Sequence, residues 1–224
     1  MASWTRTRCG ACGVRTPTSG GGGKDPRSVV DLGGASGRVS RQFALEWPAA
    51  ECWNFDINPQ HVEWIAAHLR GTGIKAVNIE PSPALPLASG SIDLLVAFSV
   101  FTHIEHQDTA WIAEIARVLS PGGLAVITIH SERTWANLDP TWGIWQGLIE
   151  NGSWSPHGKA TPELFQQPMP SDRVVFHWSA AGSYNCNVFY RLERVLNAWG
   201  PILPIVETRV QAFGYQDAVI MRKS

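Results

Sequence analysis

Val29-Val30-Asp31-Leu32-Gly33-Gly34-Ala35-Ser36-Gly37-Arg38 is an apolar run that ends in a glycine-rich turn. Short and bounded by glycines, the run reads as a buried strand, and the turn behind it opens a helix. Glycine in such a turn removes the Cβ that would hold a ligand away from the backbone. The spacing discriminates between ligands. A dinucleotide fingerprint needs glycines at the first, third and sixth places. Counted from Gly33 these are Gly33, Ala35 and Arg38, so two of the three fail. The pattern that holds is Asp31-x-Gly33-x-x-x-Gly37.

Outward from this turn the chain alternates strand and helix. Apolar strand cores are predicted at Val29-Val30, Cys52–Phe55, Val77–Ile79, Ile92–Phe98 and Leu124–Ile129, with helices over Pro59–Leu69 and Trp111–Leu119. Asn58-Pro59 starts a helix with proline at its first position, and Pro121-Gly122-Gly123 turns the chain into the next strand. Single helices between strands imply a parallel sheet covered on both faces. Beyond His130 the rhythm breaks. Residues 131–187 are rich in Trp, Pro, Gly and His and read as an irregular excursion over the strand ends, a lid or substrate-binding segment. A helix near Val188–Trp199 and two closing strands, Leu203–Val210 and Gln216–Met221, complete the domain of residues 28–224.

Composition bounds the function. The chain has 224 residues, 44% hydrophobic and 17% charged, with a net charge of -1, so nothing in its overall electrostatics calls for nucleic acid or an anionic membrane. No apolar run is long enough for a membrane helix and no secretory signal is evident, which makes a cytoplasmic protein acting on small molecules the expectation. Residues 1–27, with Gly20–Gly23 near their end, read as a flexible leader; its arginines would also suit a transit peptide, but no amphipathic helix accompanies them. Gly23-Lys24 is not a phosphate loop, because Asp25 stands where Ser or Thr must reach magnesium. Cys9, Cys12, Cys52 and Cys186 are too scattered for a disulfide framework, and Cys9-x-x-Cys12 is half a zinc site with no second pair, so no metal is expected. Oligomeric state is not encoded in any of these patterns.

The turn resembles the first motif of class I S-adenosylmethionine-dependent methyltransferases, commonly Asp-Leu-Gly-Cys-Gly-Thr-Gly, with Gly34 at the frequent cysteine and Ala35 in place of the middle glycine. Further matches follow in family order. Ala84–Leu95 resembles the stretch before and along the fourth strand, Ser99–Ile104 the segment after it, and Ala116–Gly123 the signature before the fifth. The resemblance spans residues 28–130. It implies a Rossmann-like α/β three-layer sandwich with a seven-stranded, mostly parallel sheet whose last strand is antiparallel. It also implies S-adenosyl-L-methionine as cofactor and S-adenosyl-L-homocysteine as product. By resemblance Asp31, Gly33, Gly34, Ala35 and Gly37 hold the amino-acid part, and Ile57, Phe98 and Ser99 line the site. Asp56, ending the second strand, is placed to accept from a ribose diol, or else to cap a helix. The adenine acid of many relatives is missing, and Glu80 or a stiff Pro81-Ser82-Pro83 backbone stands in its place. A subgroup known from bacterial sugar and secondary metabolism has a similar proline-rich loop and a similar Gln216-Asp217-apolar ending.

Methyl transfer requires alignment of the acceptor and, for a hydroxyl, removal of its proton. His103 and His130 fall at the carboxyl ends of the fourth and fifth strands, where ligands bind, and are the candidate general bases; packing or capping is the plainer role. Eleven tryptophans are unusual for the length. Trp135, Trp142, Trp145, His177, Trp178 and Tyr184 are candidate lining of an acceptor pocket, or ordinary core or interface. Methyl transfer to a small-molecule acceptor, oxygen favoured, is therefore the leading reading. Its rivals are a nicotinamide-dependent oxidoreductase and a non-catalytic module that binds a nucleoside or a partner.

Overall fold

The computed structural model describes residues 25–151, 153–154, 158–177 and 186–224. Cys9, Cys12, Gly20–Gly23, Trp178 and Tyr184 lie outside these.

Five strands follow the predicted alternation: β1 (Ser28–Leu32), β2 (Glu51–Asp56), β3 (Ile74–Asn78), β4 (Ile92–Ala97) and β5 (Leu119–Ser131). Helices α1 (Ser40–Glu46), α2 (Pro59–His68) and α3 (Asp108–Val118) follow β1, β2 and β4, while β3 leads to β4 without a helix. The parallel order is β3-β2-β1-β4-β5. The chain ends in β10 (Ile205–Phe213) and β11 (Gln216–Arg222), and β11 runs antiparallel to both β5 and β10. The result is the expected seven-stranded, mostly parallel sheet with an antiparallel last strand, inserted between β5 and the edge strand β10. Period-two alternation divides the core. Val30 and Leu32 face the cluster under α3 with Leu95, Ile112 and Ile115, while Val29 faces the α1 side with Phe43, Leu94 and Val96. Asp31 shares the face of Val29, and this carries a carboxyl under α1.

Two local expectations change. Pro121-Gly122-Gly123 does not interrupt β5. Gly122, at φ +81°, makes an irregularity inside the strand, and its N–H still donates to Lys223 O while Gly123 O accepts from Lys223 N. The stretch predicted as one helix from Val188 is a strand, β9 (Cys186–Tyr190), followed by α6 (Leu192–Trp199). All five residues of β9 are buried, so no alternation marks it, and its apolar run merges with that of the helix.

The excursion is more regular than its composition implies. It contains α4 (Glu132–Ala136), α5 (Gly143–Asn151), the short strands β6 (Ser153–Trp154) and β7 (Gly158–Lys159), a 3-10 turn at Leu164–Gln166, and β8 (Arg173–His177). These build an accessory sheet, β9-β8-β6-β7, joined to the main one through β5. Strand β5 pairs with β11 from Leu124 to Ile129, then offers His130 and Ser131 to Phe189 and Tyr190 of β9. A third apolar cluster, with Trp135, Leu148, Phe165, Phe176 and Phe189 at its centre, lies against this sheet.

Candidate functional site

The carboxyl ends of β1, β2 and β4 open on a cleft of about 520 Å³, within the size range of small-molecule sites. Its wall includes Gly33, Ala35 and Arg38 of the glycine turn, Asp56, Ile57 and His61 after β2, Ile79 and Pro81 after β3, and Phe98–Val100 and His103–Gln107 after β4. Of the sequence candidates, Gly33, Ala35, Asp56, Ile57, Phe98, Ser99 and His103 come together here.

The turn is built from below. Asp31 Oδ2 accepts from Ser40 N (2.9 Å) and Ser40 Oγ (2.7 Å), and Asn54 Nδ2 donates to the same hydroxyl (2.8 Å). Asp31 thus fixes the first turn of α1 and does not line the cleft; it is a positioning residue. Burial pushes its carboxyl up to about 6, against the lowering effect of the Ser40 bonds. A carboxyl that holds its proton more tightly when folded contributes stability at low pH that is lost as pH rises through about 6. Asp31→Asn should therefore gain on the native chain by about 1 kcal/mol between pH 5 and pH 8 in denaturant unfolding; a pH-independent difference would refute the assignment.

Gly34 and Gly37 also work under the surface. A Cβ on Gly34 would meet Asn54 Nδ2 at 2.1 Å, and Gly37, at φ +79°, packs on Ile65 and Leu69. Three amides of the turn are taken: Gly33 N and Gly34 N donate to Phe55 O (2.7 and 3.3 Å), and Ala35 N donates to Asp56 Oδ2 (2.8 Å). A phosphate-binding loop keeps such N–H groups for its ligand. Gly33 lacks a Cβ because Val100 Cγ2 packs 2.4 Å from where one would stand, and Asp31 already stands at the amino end of α1. Ala35 (φ +45°), Ser99 (φ +59°) and Gln107 (φ +65°) all line the cleft, so left-handed non-glycine residues concentrate there.

Asp56 ends β2 with its carboxylate at the cleft wall. Besides Ala35 N it accepts from Asn58 N (2.8 Å) and meets His61 Nδ1 at 3.2 Å. The cap of α2 is Asn58, which accepts from Gln60 N. Glu80 is exposed and off the wall; Ile79 and Pro81 line the cleft in its place.

Ser99 is held from the far end of the chain. Its N–H donates to Thr128 Oγ1 (2.8 Å), and the Thr128 hydroxyl donates to Gln216 Oε1 (2.6 Å). Gln216 Nε2 in turn reaches Ser99 Oγ (2.9 Å). Asp217 accepts from Ser131 Oγ (2.6 Å), which caps α4, and from Gln211 N (2.8 Å). The Gln-Asp pair therefore ties the closing hairpin to the cleft and to the excursion.

The two histidines part company. The His103 Nδ1–H donates to Cys186 O (2.7 Å), which leaves the lone pair on Nε2, and burial lowers its pKa below 6.5. His130 is buried among Phe189, Tyr215 and Gln216, off the cleft wall. Burial pushes it down to about 3, so it stays neutral and is a poor proton acceptor at neutral pH.

Of the candidate tryptophans, Trp135 is core and Trp142 and Trp145 are partly buried against it. Trp135 is 1% exposed, stacks with Phe176, and donates its indole N–H to Gln167 O (2.8 Å). It borders a second cavity of about 560 Å³, with Phe165, Met169 and Arg191, instead of the cleft. Trp142 and Trp145 pack on the same cluster. Each fills the accessory core because the excursion needs apolar volume of its own. His177 reaches the cleft indirectly, through Glu105 (2.8 Å). Sequence reasoning missed Asn54, Ser40 and Glu105, and noticed Gln216 only as part of an ending similar to a subgroup's. Asn54 left one signal, a polar residue inside an apolar strand.

Residues 30–127 match the family model described as a methyltransferase domain. The malonyl-[acyl-carrier protein] O-methyltransferase of Methylococcus capsulatus is 30% identical over 152 residues, 68% of this chain and 55% of that protein. A probable chloroplastic tocopherol O-methyltransferase of Oryza sativa is 30% identical over 53% of this chain and 32% of its own. The chain spans about half or less of the length of these curated relatives. Among solved structures, a S-adenosylmethionine-dependent methyltransferase of Methanosarcina mazei superposes with TM-score 0.61 at 15% identity, over 89% of this chain and 93% of that one. One from Mesorhizobium loti gives 0.60 at 18% identity, over 88% and 91%.

Proposed function

We propose that this chain, a member of the class I S-adenosylmethionine-dependent methyltransferases, transfers the methyl group of that cofactor to an oxygen of a small-molecule acceptor. The observation that carries the reading is the pairing of the glycine turn with Asp56 across one cleft. The backbone of Gly33 and Ala35 at the wall accommodates an amino-acid tail, Asp56 presents acceptor oxygens to a ribose diol, and Ile57, Ile79 and Pro81 give an apolar slot for a base. These residues fit the cofactor. They suit a pyrophosphate poorly, because the amides of Gly33, Gly34 and Ala35 already have protein acceptors, and the nicotinamide reading loses its basis.

When bound, the cofactor supplies an electrophilic methyl on a sulfonium. The chain aligns the acceptor, excludes water with Phe98, Val100 and Ile104, and takes the hydroxyl proton at His103 Nε2. The Cys186 carbonyl keeps the tautomer that this proton transfer needs. A His with a lowered pKa stays in its base form at neutral pH, so the acidic limb of the rate profile should lie below pH 6.5. From the accessory segment, His177 reaches the acceptor side of the site through Glu105. The malonyl relatives bring one further acceptor type into view, a carboxylate on a carrier-bound acyl chain.

Two measurements test this reading. Saturating S-adenosylhomocysteine should raise thermal stability by about 2.7 kcal/mol at a hundred times its dissociation constant, and NAD should not. His103→Asn retains an N–H toward Cys186 O but loses the Nε2 lone pair. It should lower kcat about a hundredfold with unchanged S-adenosylhomocysteine affinity; an unchanged kcat removes His103 from the mechanism.

A further inference from the structure

The loop after β4 is stitched to the accessory sheet bond by bond. Val188 N donates to Thr102 O (2.8 Å), the Tyr190 hydroxyl to Phe101 O (3.1 Å) and the Cys186 thiol to His103 O (3.1 Å). Arg173 Nη2 donates to Ile104 O (2.8 Å) and also to Glu105 O. So anchored, Glu105 lines the cleft at the seam, where its Oε1 meets His177 Nε2 of β8 at 2.8 Å and His106 Nε2 at 3.3 Å.

The charges around this seam are one-sided. Among the described residues that line the cleft, Arg38 is the permanent cation; it belongs to the glycine turn, with its guanidinium 5.4 Å from the Phe213 ring centre. The Arg173 guanidinium serves backbone carbonyls and lies 5.6 Å from the Tyr190 ring centre. A carboxylate acceptor is already a nucleophile at neutral pH and needs no base, but it does need a cationic fork to hold it. The seam supplies the reverse: a candidate base in His103 and a carboxylate in Glu105.

We propose that Glu105 is a specificity residue: it selects a hydroxyl acceptor whose remaining skeleton is uncharged or cationic, and it turns away one that bears a free carboxylate. The acceptor class then differs from the malonyl group of the relatives. This rests on the methyl-transfer reading of the cleft and narrows it.

The test is calorimetric titration of the S-adenosylhomocysteine-loaded full chain with tyramine, tyrosol and 4-hydroxyphenylacetate, phenols of one skeleton that differ in charge. Like charges a few ångströms apart in a partly buried site discriminate by about tenfold or more, so tyramine and tyrosol should bind at least that much more tightly than the carboxylate. Glu105→Gln should bring the three within about threefold by the same Coulomb argument, and Glu105→Lys should reverse the order. His177→Gln, which removes a partner of the carboxylate, gives a second route and should widen the preference. S-adenosylhomocysteine affinity, measured first for every variant, checks that the cleft has folded. Equal binding of the three by the native chain, a preference that survives Glu105→Gln and Glu105→Lys, or no binding of any at millimolar concentration overturns the proposal. Failure of S-adenosylhomocysteine itself to bind the native chain would instead defeat the methyl-transfer reading beneath it.

Discussion

Asp56→Ala is expected to weaken S-adenosylhomocysteine binding by about a hundredfold or more, because hydrogen bonds to a charged acceptor contribute about 1.5–3 kcal/mol each and two are lost with a diol. The same carboxylate holds Ala35 N and Asn58 N, so part of the loss reflects a loosened turn. Asp56→Asn removes the charge and keeps one oxygen for Ala35 N, but its amide nitrogen then opposes the Asn58 N–H, so this variant should melt below the native chain as well as bind weakly. Calorimetry on both variants decides the matter. Native affinity in Asp56→Ala would remove the carboxylate from the cofactor site altogether.

Gly34→Ala should be the most damaging single-methyl change in the cleft region. The added Cβ would lie 2.1 Å from Asn54 Nδ2 and 2.6 Å from Asp31 Oδ2, both buried and both committed to Ser40. Neither can retreat without breaking the bonds that set the turn. Overpacking of this kind, with loss of a buried polar network, costs about 3 kcal/mol, or roughly 6–12 °C in Tm for a chain of this size. Gly34 is outside the left-handed region, so the effect is steric and not conformational. The companion change Ala35→Gly runs the other way. Relief of a left-handed alanine at φ +45° offsets the added freedom of the unfolded chain, and stability should move by less than about 1 kcal/mol. A Gly34→Ala protein that melts like the native one would show that the network beneath the turn yields.

The alternation of strands and helices around Val29–Arg38 was legible because each parallel strand is an isolated apolar run bounded by turn residues. Asp56 was legible for a related reason, its position at a strand end fixing the side of the sheet on which it emerges. Strand β9 was not. Buried on both faces, Cys186–Tyr190 has no polar alternation, and Arg191 is too weak a break before the helix at Leu192. The tryptophans misled in another way. Their number announces buried volume but not which cavity it fills, and Trp135 completes the accessory core. Least legible were the long-range polar contacts. Ser40 to Asn54 and Ser99 to Gln216 depend on strand order and register, which local sequence does not carry.

The bond between Gln216 and the turn at Ser99 sets a timetable for synthesis. At about 5–20 residues per second, the ribosome adds residue 216 roughly 6–23 s after residue 99. During that interval a nascent chain possesses the first strands and the glycine turn but lacks the side chain that pins the left-handed serine. Until Gln216 is in place, the turn at Ser99 is held by Thr128 alone of the two side chains that fix it.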